Sequence, residues 1–367
     1  MPPCPFDLVR DTPFGSYTAS AERLTGGMVN YVWRVANTSG DTVIVKYAED
    51  AIATDADIKF SVERMDFEAR GLSLFNLQGQ LTSLGRDLVT TPSVRVPKLL
   101  YYDRTVPFLV LEDVGVHQGF EQWFTGGARA EDLDFVCAKV GEWIAHLHGF
   151  GYSNRERLEE HFTNTPAREL LNGLMFDMTA RDIERHTDFE DRRELARRVM
   201  QMKEEVRQTG SPTLLFGDMW PGSILYDEAS RVVNVLDFEF MDIGLVYGDI
   251  GHFVAHLLPL HFLRDPSYDP NRDPCPHSVV AFLSAYKRTM AAYPDAYRAV
   301  MEDAVRHSTV FMGIEIARDV MTGNWCRCKQ SSHKKDEPLT CECGDILLKL
   351  ARTYIYNPKD SLFNILI

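Results

Sequence analysis

The chain has no long apolar run, no basic excess and few cysteines, and each shortage removes a class of function. A membrane-spanning helix needs about 18 or more consecutive apolar residues, and the richest stretch, Ile250 to Leu263, is interrupted by His252, His256, Pro259 and His261. Lysine and arginine number 39 against 53 aspartates and glutamates, a formal net charge of −14. Bulk electrostatics therefore favours neither nucleic acid nor an anionic membrane surface as a partner. The seven cysteines in 367 residues, an odd number, suit a reducing compartment better than a disulfide framework. Met1-Pro-Pro-Cys-Pro-Phe-Asp7 carries neither the basic segment nor the apolar core of a signal peptide. The expected location is cytoplasmic.

What is present reads as a soluble enzyme with two lobes, since 367 residues exceed one small core and 45% are hydrophobic. Tyr31 to Val35 and Thr42 to Lys46 are β-branched and aromatic runs around the turn-forming Asn37-Thr-Ser-Gly-Asp41, which predicts a hairpin. Apolar spacing from Ile58 to Leu77 predicts a helix; Pro97 to Tyr102 and Phe108 to Asp113 read as strands. Beyond Gly115 helices dominate: Leu133 to Phe150, the charged Arg181 to Arg207, Val279 to Tyr293, Tyr297 to Thr322 and Ile346 to Tyr356. A strand pair, Leu214 to Phe216 and Val232 to Leu236, interrupts them. The expected class is α+β, with a small β-rich lobe over residues 1–112 and a larger helical lobe over 113–367.

The chemistry concentrates in that interruption. Asp218 follows a strand in the loop Gly217-Asp-Met-Trp-Pro-Gly222, and Asp237 ends the next apolar strand in Val235-Leu-Asp-Phe-Glu-Phe240. Either carboxylate alone is an ordinary loop-capping group. Together, on adjacent strands of a hairpin, they can converge on one magnesium-nucleotide. Phosphoryl transfer needs one carboxylate to orient the attacking hydroxyl and another to hold the metal. Upstream, Gly26 and Gly27 lie between strands, where glycine lets backbone N–H groups approach phosphates. Lys46 stands mid-strand after the turn, placed to meet α- and β-phosphates. Glu68, and less so Glu63, is its expected partner on the following helix.

These residues carry a resemblance. Gly217-Asp218 with Pro221-Gly222, then Leu236-Asp-Phe-Glu-Phe240 and Gly248-Asp-Ile-Gly251, is similar to the aminoglycoside phosphotransferase and choline kinase group. It implies a bilobal protein-kinase-like fold and an ATP- and Mg2+-dependent kinase acting on a small molecule. It further implies Asp218 as catalytic base, Asp237 as main magnesium ligand, Glu239 as second ligand or orienter, and Asp249 as a brace for the loop. The nucleotide would be held by Gly26, Gly27, Asn30, Lys46 and Glu68, with the linker backbone at Leu111 and Glu112 on the adenine edge. Two positions depart from the group: Phe216 where many members have histidine, and Ser223 in place of a metal-binding asparagine. They motivate a competing reading, a nucleotide-binding pseudokinase.

Within the group, Leu24 to Arg34, Val45 to Ala48, Thr54 to Asp57 and Val62 to Arg64 resemble the fungal 4-hydroxytryptamine kinases and, more loosely, the methylthioribose kinases. The latter carry paired arginines on a late helix, where this chain has Arg318 followed by Asp319. Asp319 or Glu315 can neutralise an ammonium group, and Trp220 can pack an aromatic ring or cation. The favoured acceptor is an aromatic hydroxy-amine such as a hydroxytryptamine; a methylthioribose-like sugar alcohol is the alternative. Finally, Cys326, Cys328, Cys341 and Cys343 form two close pairs across residues 326–343. They are candidates for a structural Zn2+ site, although paired zinc cysteines usually have two residues between them rather than one; free thiols are the alternative.

Overall fold

A computed structural model describes residues 2–25, 27–208, 210–265, 267–270, 272–273, 275–322, 342–357 and 362–366, and for residues 302, 303 and 342 the backbone alone. The first half is built on a five-stranded antiparallel sheet in the order Ser20–Arg23, Tyr31–Ala36, Thr42–Tyr47, Phe108–Glu112, Leu99–Asp103. Its central hairpin closes as expected, with the Asn37 carboxamide accepting from the N–H groups of Ser39 and Asp41, both at 2.9 Å. Side chains alternate across a strand. Val43, Val45, Trp33 and Val35 therefore pack on one face with Phe108 and Val110, which leaves Ile44 and Lys46 on the other.

That second face meets the helix Arg64–Phe75, which is shorter than the expected Ile58 to Leu77. Asp55–Lys59 pairs instead with Ala51–Ile52 as a small hairpin. The fully buried Arg64 explains the boundary. Its guanidinium donates to the carbonyls of Ser61 at the helix entry (3.0 Å) and of Glu49 beside the hairpin (2.9 Å), so it ties the start of the helix to the hairpin that takes up residues 51–59.

The second half is mainly helical. Ala130–Ser153 packs along His277–Met290, and Pro294–Met321 lies against both Tyr247–Arg264 and Glu342–Tyr356. The expected helix from Arg181 to Arg207 is broken into Thr179–His186 and Arg192–Gln208. The strand pairing also differs from expectation. Val232–Val235 pairs with Ile224–Asp227, whereas Thr213–Leu215 pairs with Asp242–Gly244. Ile224–Asp227 alternates buried and partly buried residues and lies within tight-turn reach of Val232, so it takes the hairpin. Asp218 and Asp237 therefore sit on two loops rather than on adjacent strands of one hairpin. Among the described residues no helix is long and apolar enough to cross a membrane.

Candidate active site

Between the sheet and the Ile224–Asp227 hairpin lies a cleft, lined by Leu24, Val32 and Ile44 on one side and Leu225 and Leu236 on the other. Lys46 stands at its inner end with its side chain 4% exposed. The ammonium donates to three carboxylates: Glu68 Oε1 at 2.9 Å, Asp237 at 2.8 Å and Glu239 at 2.9 Å. Burial opposes the charge on Lys46, but Asp237, Glu239 and Glu68 outweigh it and hold the ammonium well above its ordinary value. One cation does not balance three acids. Burial pushes Glu68 up to about 8 even though Lys46 pulls the other way.

Close packing brings these acids together. A Cβ on Gly71 would lie 2.4 Å from the Met241 sulfur and 3.2 Å from Phe238, so the helix bearing Glu68 approaches the 237–241 segment with no side chain between. Phe238 anchors that segment among Phe216, Phe75 and Trp143, with ring centroids 5.1, 5.5 and 6.4 Å away. Asp237 itself adopts a positive φ of 65°. Such backbone is uncommon outside glycine and costs energy that the surrounding packing must sustain. It leaves the Asp237 side chain 39% exposed at the cleft, unlike Glu239 at 4%. The ligand oxygens of Glu68, Asp237 and Glu239 lie within 4.8 Å of one another. Lys46 stands among all three, and Asp237, the carboxylate open to the cleft, offers the hard oxygen that magnesium takes.

Asp218 is set by a separate brace. Asp249, buried near the start of the helix Tyr247–Arg264, accepts from the N–H groups of Phe216 (2.9 Å) and Gly217 (2.8 Å). It is held in turn by His148 Nε2 at 2.9 Å, whose Nδ1 meets the Tyr286 hydroxyl at 2.8 Å. Gly217 has φ +91°, and a Cβ there would sit 2.0 Å from the Phe240 carbonyl oxygen. The Ser223 hydroxyl donates to the Asp218 carbonyl at 3.2 Å. Burial, then the charges of Glu239 and Asp237, push the Asp218 carboxyl up to about 7. A general base working near neutral pH benefits from such a value.

Beyond Asp218 lies a second charged cluster. Trp220 faces His256 with ring centroids 5.6 Å apart. Arg318 donates to Glu315 at 2.6 Å and to Asp319 at 2.8 Å, and His256 lies 3.4 Å from each of these acids. Burial lowers His252 to about 4. His256 is raised instead, because Asp319 and Glu315 overcome its desolvation. The two acids expected to receive an ammonium group thus already hold a guanidinium.

Comparison with known proteins places this arrangement. Residues 20–293, well over half of the chain, match the model of the phosphotransferase enzyme family, APH. The chain belongs to this phosphotransferase family. A 4-hydroxytryptamine kinase of Psilocybe cyanescens is 30% identical over 251 residues, 64% of this chain and 66% of that protein. A methylthioribose kinase of Geobacillus thermodenitrificans (strain NG80-2) is 27% identical over 251 residues, 61% of each. The matched stretches thus span just under two thirds of the length of these relatives. Among solved structures, the amicoumacin kinase hAmiN in complex with AMP-PNP, Ca2+ and Ami superposes with a TM-score of 0.53 at 13% identity, covering 92% of this chain and 88% of that one. The fold is the expected protein-kinase-like α+β type, and the phosphotransferase class expected from the motifs is borne out.

In this phosphotransferase the structure brings Lys46, Glu68, Asp237 and Glu239 into direct contact, with Asp218 and Ser223 on the adjoining loop. Glu63 is exposed and apart from them. Leu111 and Glu112 line the cleft, but the Glu112 N–H donates to the Lys98 carbonyl at 2.9 Å. Gly27 is exposed, with open space where a Cβ would go. Asn30 is buried against Glu239 rather than at the cleft surface. Gly26, Cys326, Cys328 and Cys341 lie outside the described residues; Cys343 is buried.

Three organising residues escaped sequence reasoning. Arg64 donates to Asn30 Oδ1 at 2.9 Å. Arg34 clamps Asp113 through two bonds of 2.6 and 3.1 Å, tying the second strand to the linker. Arg168 grips Asp242 at 2.7 and 2.8 Å, just past Asp237 and Glu239. Each arginine meets partners distant in sequence, and neither period nor local motif reveals that.

Proposed function

We propose that the chain is an ATP- and magnesium-dependent kinase that transfers a γ-phosphate to a hydroxyl of a small acceptor, favoured to be an aromatic hydroxy-amine such as a hydroxytryptamine. The observation that carries the kinase reading is the convergence of Lys46, Glu68, Asp237 and Glu239 at the inner end of a cleft, with Asp218 on the next loop. Asp237 and Glu239 would hold magnesium, which when bound neutralises charge developing on the phosphates. Lys46, presented by Glu68, meets the phosphates. Asp218 accepts the acceptor's hydroxyl proton on its carboxylate. The apolar cleft walls exclude water from the transferring group.

Charge supports the amine. Among the described residues the acceptor side holds Asp218, Glu121, Glu315 and Asp319 against Arg318 and His256. Glu315 and Asp319 already hold Arg318, which leaves Asp218 and Glu121 as the carboxylates that a cationic acceptor would meet. The relative at 30% identity named 4-hydroxytryptamine kinase points the same way. A coupled ADP-release assay across hydroxytryptamines, methylthioribose, choline and aminoglycosides tests the reading. Turnover with a hydroxytryptamine at least tenfold above the others supports it; magnesium-nucleotide binding without turnover on any acceptor would replace it with the pseudokinase.

A further inference from the structure

We infer that Asn30 is a positioning residue that ties the glycine-bearing loop to Glu239 and, through Glu239, to the metal–nucleotide. The inference rests on the proposed kinase reading and assigns Asn30 a task other than touching nucleotide. Asn30 is 5% exposed. Its amide nitrogen donates to Glu239 Oε1 at 2.9 Å, while its amide oxygen accepts from Arg64 Nε at 2.9 Å. The other Glu239 oxygen accepts from Lys46 at 2.9 Å. Each carboxylate oxygen can accept more than one bond, so both oxygens are oriented from behind and each keeps capacity for a cation.

The loop is fixed at the same point. The carbonyls of Val29 and Met28, just before Asn30, accept from the N–H groups of Ala53 (3.0 Å) and Thr54 (3.2 Å) in the small hairpin. Arg64 also holds the Glu49 carbonyl that leads into that hairpin. A shift of the glycine-bearing loop therefore pulls on Asn30, and Asn30 pulls on Glu239. Phosphate contact and metal ligation become one mechanical unit. Buried networks of this kind are costly when half satisfied.

The test uses full-length protein with a fluorescent ADP analogue, titrating Mg2+ at fixed nucleotide, alongside thermal unfolding of the apo forms. Asn30→Ala removes both bonds. Asn30→Asp keeps an acceptor for Arg64 but sets a second carboxylate beside Glu239, so it serves only as a folding control for the Arg64 bond. Asn30→Ala is expected to raise the half-saturating Mg2+ by about tenfold, the usual scale for one lost hydrogen bond to a charged group, with metal-free nucleotide binding unchanged. Asn30→Ser takes the place of Asn30→Ala should the alanine variant not fold. A half-saturating Mg2+ at or below the wild-type value in Asn30→Ala, or in Asn30→Ser where that variant replaces it, overturns the inference and leaves Asn30 as a loop anchor for Arg64. Wild-type protein that binds the nucleotide with no dependence on Mg2+ overturns the kinase reading itself, and the inference with it.

Discussion

Replacing Asp218 with asparagine is predicted to make the protein more stable and almost inactive at once. Asp218 sits where burial and the neighbouring Glu239 and Asp237 raise its carboxyl from 3.8 to about 7. A raised carboxylate binds its proton more tightly in the folded state than in the unfolded one. The ionised form therefore costs stability fully above pH 7, and that cost fades to nothing below about pH 4. About three pKa units correspond to roughly 4 kcal/mol as a ceiling. Because the group remains partly open to solvent, about 1–2 kcal/mol is the expected measured gain. Asparagine has nearly the same shape without the charge, and among the described residues no hydrogen bond reaches the Asp218 carboxyl. Denaturant unfolding of both proteins at pH 8 and pH 4 reads the effect directly: Asp218→Asn should lead at pH 8 and match wild type at pH 4. A variant equally or less stable at pH 8 would refute the environment assigned to this carboxylate.

Other perturbations follow from the same geometry. Lys46→Met leaves buried Glu68 and Glu239 without their counter-charge, which should cost about 3–5 kcal/mol. The loss should be greater at pH 9 than at pH 6, where Glu68 takes up a proton; equal denaturation midpoints for wild type and variant at both pH values would contradict this. Asp249→Ala orphans the Phe216 and Gly217 N–H groups and His148. It should lower kcat far more than it changes the KM for ATP, because it loosens the Asp218 loop and leaves the cleft alone. Gly217→Ala forces a side chain into φ +91° and onto the Phe240 carbonyl. Its penalty should exceed the roughly 1–3 kcal/mol of backbone strain alone, read as a lowered melting temperature; an unchanged one would show that the loop gives way.

The parts of the site that were legible in the sequence were those carried by short motifs. Lys46 on a β-branched strand, Glu68 on the next helix, and the Asp218 and Asp237 loops each announce themselves locally, and the structure joins Lys46 to Glu68 across 22 residues. Asp249 was legible for the same reason, as an aspartate at a helix start. The pairing of strands was not. Ile224–Asp227 is four residues long, too short for periodicity to register, so the hairpin was drawn with the wrong partner. Arg64 was hidden in another way. A buried arginine meeting backbone carbonyls has no sequence pattern, since its value comes from acceptors that folding leaves unpaired. On the acceptor side, Arg318 was read as a departure from an arginine pair, while its role as counter-ion to Glu315 and Asp319 appears only once the helix is folded.

Transfer of labelled γ-phosphate from ATP to a hydroxytryptamine, measured at saturating Mg2+ for wild type and Asp218→Asn, tests the central claim most directly. The account predicts phosphorylated acceptor from the wild type and a rate about 10²–10⁴-fold lower from the variant, with ATP still bound. Equal rates from the two proteins would contradict it.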